Sequence, residues 1–276
     1  MDRIRLIASD MDATLLDEQS QLPADFEETI HALAELGIRF APASGRPLYT
    51  LEAMFPTLQD ELVFIGDNGG AIRWKGQNLF TSEMSPEGWR ALNRLTREQG
   101  DIAVLCGLES AYVERPFAVH DAVLRHFYTK IEYVDRLEAV AAPADKFTIY
   151  LPQHNAQQAY DTVYASQRSI YSVAVAGECW VDIMNPGVHK GAALQTLGQL
   201  WGLPSESMMA FGDTYNDAEM LRTAKYGFLM ENGSEPLRQK VPFLAPSHRE
   251  AGVMQVLHRV LAQNGCVCPE DFIPAH

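Results

Sequence analysis

Strand-length apolar runs alternate with helix-period segments at both ends of this chain, and the alternation is interrupted in the middle. Ile4–Ser9, Ile38–Ala43 and Leu62–Ile65 are short apolar runs of strand length. Between them lie Pro23–Leu36, with Phe26, Ile30, Leu33 and Leu36 at helical spacing and a stop at Gly37, and Pro47–Met54, with Pro at its start. A strand–helix–strand–helix–strand order predicts parallel strands joined by crossover helices. Asp67-Asn68-Gly69-Gly70 then signals a turn, with a hairpin of Ala71–Trp74 and Asn78–Phe80 after it.

From residue 83 the pattern changes. Helix Pro86–Gln99 is followed by strands Ile102–Cys106 and Ala111–Glu114, a helix near Ala118–Phe127, strand Lys146–Leu151, helix Asn155–Arg168, and a hairpin of Ile170–Val175 and Cys179–Met184 around Ala176-Gly177. Helices mixed with paired strands predict a small α+β unit with an antiparallel sheet. The parallel pattern returns with helix His189–Trp201, strand Met208–Phe211, helix Asn216–Thr223 and strand Tyr226–Leu229, and ends in helices near Glu235–Lys240 and Arg249–Leu261. The expected fold is α/β: a Rossmann-like parallel-sheet core, residues 1–82 and 185–276, with an α+β domain inserted at 83–184.

Charge narrows the partners. Lys and Arg number 22 against 36 Asp and Glu, a net charge of −14. A general nucleic-acid binder or a polybasic membrane-surface protein needs the opposite sign. The hydrophobic fraction of 47% and charged fraction of 21% are those of a folded chain rather than a disordered one. A globule of 30.8 kDa should expose about 12,000 Å². No apolar run approaches the ~18 residues of a membrane span, and the N-terminus lacks a signal peptide's apolar region, so a cytoplasmic protein is expected. Cys106, Cys179, Cys266 and Cys268 are too scattered for a disulfide framework and are expected to be reduced. Oligomeric state is open: a monomer or a small homo-oligomer.

Two acidic clusters carry the chemistry. Asp10-Met11-Asp12-Ala13-Thr14 leaves the first strand, and Gly212-Asp213-Thr214-Tyr215-Asn216-Asp217 leaves the strand at Met208–Phe211, about 200 residues later. Ligand sites in open α/β sheets lie at such strand ends, so the clusters can meet. Converging carboxylates repel unless a cation sits among them, and an all-oxygen set suits a hard ion such as Mg²⁺. Ser44-Gly45-Arg46, opening a short helix, offers a hydroxyl and backbone N–H groups to an anion. Lys190 begins a helix against the macrodipole, which disfavours an ordinary surface role. No G-x-G-x-x-G follows the first strand, so hydride transfer is disfavoured.

Asp-x-Asp-x-Thr, Ser-Gly-Arg, Lys and Gly-Asp-x-x-Asn-Asp, in this order, resemble the four motifs of the haloacid dehalogenase (HAD) superfamily of phosphatases. The Ser-Gly-Arg form, the Asn68-Gly69 turn and the insertion resemble its Cof-type subgroup, with a type IIB cap domain. The resemblance implies Asp10 as nucleophile, forming an aspartyl-phosphate, and Asp12 as general acid/base. It implies phosphate contacts from Met11 (backbone), Ser44, Gly45, Lys190 and Asn216. Metal ligation would come from Asp10, the Asp12 carbonyl and Asp213, with Asp217 supporting from behind and Arg46 orienting or bracing the loop. The family usually has Gly where this chain has Ala13; a positive φ there would strain Ala by roughly 1–2 kcal/mol. His189 is expected to be a helix-start residue. Tyr112, Glu114, Arg115 and Trp180 are candidate substrate contacts from the inserted domain. The implied activity is Mg²⁺-dependent hydrolysis of a small phosphorylated metabolite: a sugar phosphate, pyridoxal phosphate or a nucleotide-like ester. A phosphotransferase or mutase on the same scaffold, or a weakly catalytic phosphometabolite-binding protein, are the alternatives.

Overall fold

The strand Leu6–Ser9 is buried along its whole length and lies inside a six-stranded sheet. A computed structural model describes all 276 residues. Across that sheet the order is Ile273–Pro274, Phe243–Ala245, Tyr226–Met230, Met208–Gly212, Leu6–Ser9 and Arg39–Pro42. Every pair is parallel except the one with Ile273–Pro274. Alternate residues feed two separate cores, as a strand with both faces covered requires. Ile7, Phe40, Met209 and Phe211 pack with helices Phe26–Glu35 and Gly252–Ala262. Leu6, Ala8, Ala41 and Ala210 pack on the other side with Lys190–Trp201 and Ala218–Thr223. The fold is therefore α/β with helices on both faces of a mainly parallel sheet.

A second six-stranded sheet takes all its strands from residues 102–184. Its order is Ser172–Val175, Trp180–Met184, Ala144–Tyr150, Ile102–Gly107, Ala111–Glu114 and Ile131–Val134. Helix Pro86–Gln99, capped by the Ser85 hydroxyl and ended by left-handed Gly100, covers one face through Trp89 and Leu92. The other face carries Lys146, Thr148, Trp180 and Asp182 and looks onto the ends of the parallel strands.

Several elements differ from expectation. Ile131–Val134 was not predicted, and it pairs parallel with Ala111–Glu114, so the second sheet is not wholly antiparallel. The short strands Phe243–Ala245, Cys266–Val267 and Ile273–Pro274 were also missed, being only two or three residues long. Helix Asn155–Arg168 is in fact helix Ala156–Asp161 and a 3₁₀ turn at Ala165–Ser169. Thr162 bonds back to the Gln158 carbonyl at 2.7 Å, and Tyr164 turns inward to donate to Asp101. The third core strand expected at Leu62–Ile65 forms at Val63–Gly66, pairs with the hairpin Ala71–Trp74/Gln77–Thr81 and touches the parallel sheet through one bridge, Ala43 to Ile65. The protein exposes 12004 Å², as its mass requires, and its four cysteines are unbonded. No helix is long and apolar enough to cross a membrane.

Candidate active site

Parallel register sets the site. Ser9 lies opposite both Phe211 and Pro42, so the residues that follow all three strands emerge at one edge of the sheet. Asp10 leaves the central strand, its amide bonded to the Phe211 carbonyl at 3.0 Å. Asp213 leaves the neighbour on one side and Ser44 the neighbour on the other.

Lys190, the first residue of its helix, reaches down between the two acidic clusters. Its ammonium is wholly buried and donates to Asp10 Oδ1 and, at 2.7 Å, to Asp217 Oδ1. Burial alone would lower this group, yet Asp10 and Asp217 carry it above its usual range. Asp217 Oδ2 accepts the amides of Asp213 and Thr214 at 3.1 and 3.2 Å. Gly212 makes room for that fold-back, because a Cβ there would sit 2.4 Å from Asp217 Cβ. Gly69, at φ +99°, likewise lets its turn approach the start of the Lys190 helix, with a would-be Cβ 2.6 Å from the His189 carbonyl. His189 itself caps the helix, Nδ1 accepting the Ala192 amide at 3.1 Å, in the helix-start role expected of it.

The loop after Arg39–Pro42 is anchored through its backbone. Ser44 donates its amide to Ile65, accepts the Asn68 amide on its carbonyl, and accepts the Arg46 amide on Oγ at 3.1 Å. Gly45 lies under the Asn68 amide, and a Cβ there would meet Asn68 Oδ1 at 3.2 Å. Arg46 grips the Asp12 carboxylate with both terminal nitrogens, at 2.7 and 2.9 Å. The Asp12 carboxylate thus lies against Arg46, outside the cluster formed by Asp10, Asp213 and Asp217. The Met11 side chain is buried in the core. Asn216 is exposed at the rim, its Oδ1 accepting from Thr214 Oγ1 at 2.6 Å.

Ala13 adopts φ 56°, ψ 14°, a left-handed conformation that favours glycine. Asn232 holds it there, donating to the Ala13 carbonyl at 2.9 Å while accepting the His248 amide. Ala13→Gly should relieve about 1 kcal/mol and raise the melting temperature by roughly 2–4 °C. A lower melting temperature would show that the strain is absent.

A cleft of ≈ 340 Å³ separates the strand ends from the second sheet, and Asp10, Asp12, Ser44, Gly45, Asn216 and Asp213 line its floor and rim. The facing wall contains residues that sequence reasoning missed. Lys146 is buried and donates to the Gly45 carbonyl at 2.5 Å, with Asp67 at 2.9 Å and Asp182 at 3.6 Å. Asp182 accepts from Thr148 at 2.7 Å and from Asn68 at 3.1 Å. Period-two alternation could have found this face, since Lys146 and Thr148 are polar where Phe147 and Ile149 are apolar. Of the four candidate contacts named from the inserted segment, Trp180 lines the cleft. Tyr112, Glu114 and Arg115 do not: the latter two bind Arg97 and Asp135, and all three sit toward the far edge of the sheet.

Asp145 lies under the same wall, with no N–H or O–H aimed at either oxygen. Burial first, and the Asp67 carboxylate next, push it well above the usual range, consistent with a proton carried by Asp145 and donated to Asp67. Below the ordinary carboxylate pKa, folded and unfolded chains both hold that proton. Above it the unfolded chain releases the proton and the folded chain does not, so Asp145 costs increasing stability as pH rises. Asp145→Asn keeps a donor for Asp67 and removes this dependence. Its stability advantage, read by urea unfolding, should grow from pH 5 to pH 7; a constant gap would contradict the assignment.

The donor set suits a hard cation. Carboxylate oxygens of Asp10, Asp213 and Asp217 lie within 4.8 Å of one another. Burial, then the neighbouring Asp217 charge, push Asp10 up to about 7 and Asp213 up to about 6. Such crowding of acids is what a divalent cation relieves, and oxygen-only ligands match Mg²⁺. The Asp217 oxygens are already committed to Lys190 and two amides, which leaves Asp10 and Asp213 as the carboxylates free to ligate.

Comparison with known proteins bears on this geometry. The family model for haloacid dehalogenase-like hydrolases matches residues 7–257. The chain is 32% identical over 262 residues to 5-amino-6-(5-phospho-D-ribitylamino)uracil phosphatase YbjI of Escherichia coli, covering 94% of this chain and 96% of that one. It is 31% identical over 248 residues to HMP-PP phosphatase of Cronobacter sakazakii, covering 87% and 89%. Among solved structures, SMU.1108c from Streptococcus mutans superposes with a TM-score of 0.84 at 29% identity, over 94% of this chain and 99% of that one.

Proposed function

Because the chain belongs to the haloacid dehalogenase-like hydrolase family, we propose that it is a Mg²⁺-dependent phosphatase of small phosphorylated metabolites, with Asp10 as its nucleophile. The observation that carries this reading is the buried Lys190 ammonium, which joins Asp10, a residue lining the cleft with Ser44 and Gly45, to Asp217 behind it. Relatives whose names specify phosphatases support the reaction class.

Asp10 and Asp213, with the Asp12 carbonyl, would hold Mg²⁺. The bound ion would supply positive charge that keeps the carboxylates ionised and offsets charge on the phosphoryl oxygens. Asp10 Oδ2 has no protein donor and can attack phosphorus in line, while Lys190 holds Oδ1. The bond from phosphorus to the leaving oxygen breaks, and Asp12 gives that oxygen a proton. Asp12 then takes a proton from water, whose oxygen attacks the aspartyl-phosphate and frees Asp10 and inorganic phosphate. Arg46 orients Asp12 in its ionised form, the form that takes the proton from water in the second step. Ser44, the Gly45 amide, Lys190, the Met11 amide and Asn216 contact the phosphoryl oxygens. Residues 83–184 act as a cap over this core and choose the leaving group.

Phosphate release from a panel of phosphorylated metabolites tests the reading. Activity should require Mg²⁺, vanish with a chelator and return when Mg²⁺ is restored. Absence of release from every ester, with Mg²⁺ present, would refute it.

A further inference from the structure

Asp12 is held from two sides. Arg46 grips its carboxylate, and the conformation of Ala13 sets the direction of its peptide. Asp12 is extended, at φ −72° and ψ 132°, and the chain then reverses at Ala13, where φ is 56°. The Leu16 amide closes this loop on the Met11 carbonyl at 2.9 Å. A left-handed conformation is costly for a residue with a Cβ, so the loop left to itself favours other shapes. Any of them swings the Asp12 peptide, and its carboxylate with it.

The bond that opposes this comes from two strands away. Met208–Gly212 separates Leu6–Ser9 from Tyr226–Met230, and Asn232, just past the end of the latter, reaches across to the Ala13 carbonyl at 2.9 Å. Asn232 does not line the cleft, whereas Ala13 does. The loop that carries Asn232 is itself tied down by backbone bonds. The Glu231 amide donates to the Ala245 carbonyl at 2.9 Å, Gly233 to Met230 at 2.8 Å, and Ser234 to Asp213 at 2.7 Å. Gly233 permits this approach, because a Cβ there would sit 2.8 Å from the Asp213 carbonyl oxygen. One short loop therefore contacts the backbone beside Asp12 and the backbone of Asp213. The side chain suits its place: the Ala13 carbonyl only accepts and the His248 amide, 3.0 Å from Oδ1, only donates. A primary amide supplies one donor and one acceptor in a fixed orientation, which neither a carboxylate nor an apolar side chain does.

We propose that Asn232 is a positioning residue for the reaction: by holding Ala13 left-handed it keeps Asp12 aimed at the leaving oxygen, at a span from Asp213 fixed by the loop that touches both. The proposal rests on the phosphatase reading, in which Asp12 protonates that oxygen. A positioned acid contributes about 10²–10⁴-fold, and only within hydrogen-bond reach of the atom it serves, so a shifted Asp12 loses part of that factor.

The test uses the full chain with Mg²⁺, well below its melting temperature. kcat/KM is measured for p-nitrophenyl phosphate, whose phenolate leaves without a proton, and for the fastest alkyl phosphate of the metabolite panel, whose alkoxide needs one. Asn232→Ala should lower the alkyl ester about tenfold and p-nitrophenyl phosphate about twofold or less. In the Ala13→Gly background the left-handed conformation costs little, so the same substitution should lower the alkyl ester about threefold or less. A role in folding alone would move neither ratio. Equal losses for the two esters, no loss for either, or an undiminished loss in the Ala13→Gly background overturns the proposal while leaving the phosphatase intact. A crystal structure of Asn232→Ala gives a readout apart from turnover: Ala13 should leave its positive φ and the Asp12 carboxylate should move off Arg46. If no ester is hydrolysed the phosphatase reading fails instead, and that structure decides whether Asn232 positions Asp12; an Asp12 that stays in place overturns it.

Discussion

Asp10→Asn should abolish phosphate release, by about 10⁴-fold or more, in a protein that melts no lower than its parent. The size follows from the role: losing the group that makes the covalent bond removes the pathway, as seen when a nucleophile is deleted from other hydrolases. The stability expectation follows from charge balance. Lys190 faces two carboxylates, from Asp10 and Asp217, with Asp213 alongside. Asparagine matches aspartate in shape and keeps an oxygen to accept from Lys190. Its neutrality leaves Lys190 paired with Asp217 and removes one member of a crowded acidic group. Phosphate release at saturating Mg²⁺ and a thermal melt measure the two halves separately. Retained turnover in Asp10→Asn would remove Asp10 as nucleophile. Lost turnover with a collapsed melt would leave its chemical role undecided between reaction and folding, and Asp10→Ala would then be compared.

The sheet and its acidic edge were legible because their signals are local. A buried parallel strand is an apolar run, and the acids that leave Leu6–Ser9 and Met208–Gly212 follow directly in sequence. Ser44, Lys190 and the positive φ feared at Ala13 are likewise readable from a few adjacent residues. What stayed hidden depends on partners far apart in the chain. Asn232 supports Ala13 from 219 residues away, and Lys146 reaches Gly45 across 101. Arg46 could be suspected of orienting the site, but its grip on Asp12 exists only once two strand ends sit side by side. Thr148 and Asp182 are cross-strand neighbours, and pairing register is not written in either strand alone. The broken helix at Thr162 shows the converse, where helical periodicity continues past a residue whose side chain competes for the backbone.

Lys190→Met should cost both turnover and stability, and the two losses have separate origins. With the ammonium gone, Asp10 and Asp217 remain buried beside each other with no positive partner. Breaking a buried ion pair from one side costs about 3–5 kcal/mol, which in a chain of this size lowers the melting temperature by on the order of 10 °C. Methionine fills most of the lysine's volume, so the loss reports charge rather than a cavity. Catalysis loses a donor preorganised at the reacting carboxylate and the phosphoryl oxygens, and kcat should fall by roughly 10²–10³. Adding Asp217→Asn separates the effects. It deletes one of the two stranded carboxylates, so the double variant should be more stable than Lys190→Met alone, a coupling opposite in sign to simple addition. Turnover should not return with it, since the missing cation is still missing. If Asp217→Asn further destabilises Lys190→Met, then Lys190 holds its helix by packing and the charge argument fails. If kcat survives in Lys190→Met, the ammonium neutralises a buried pair and takes no part in the reaction.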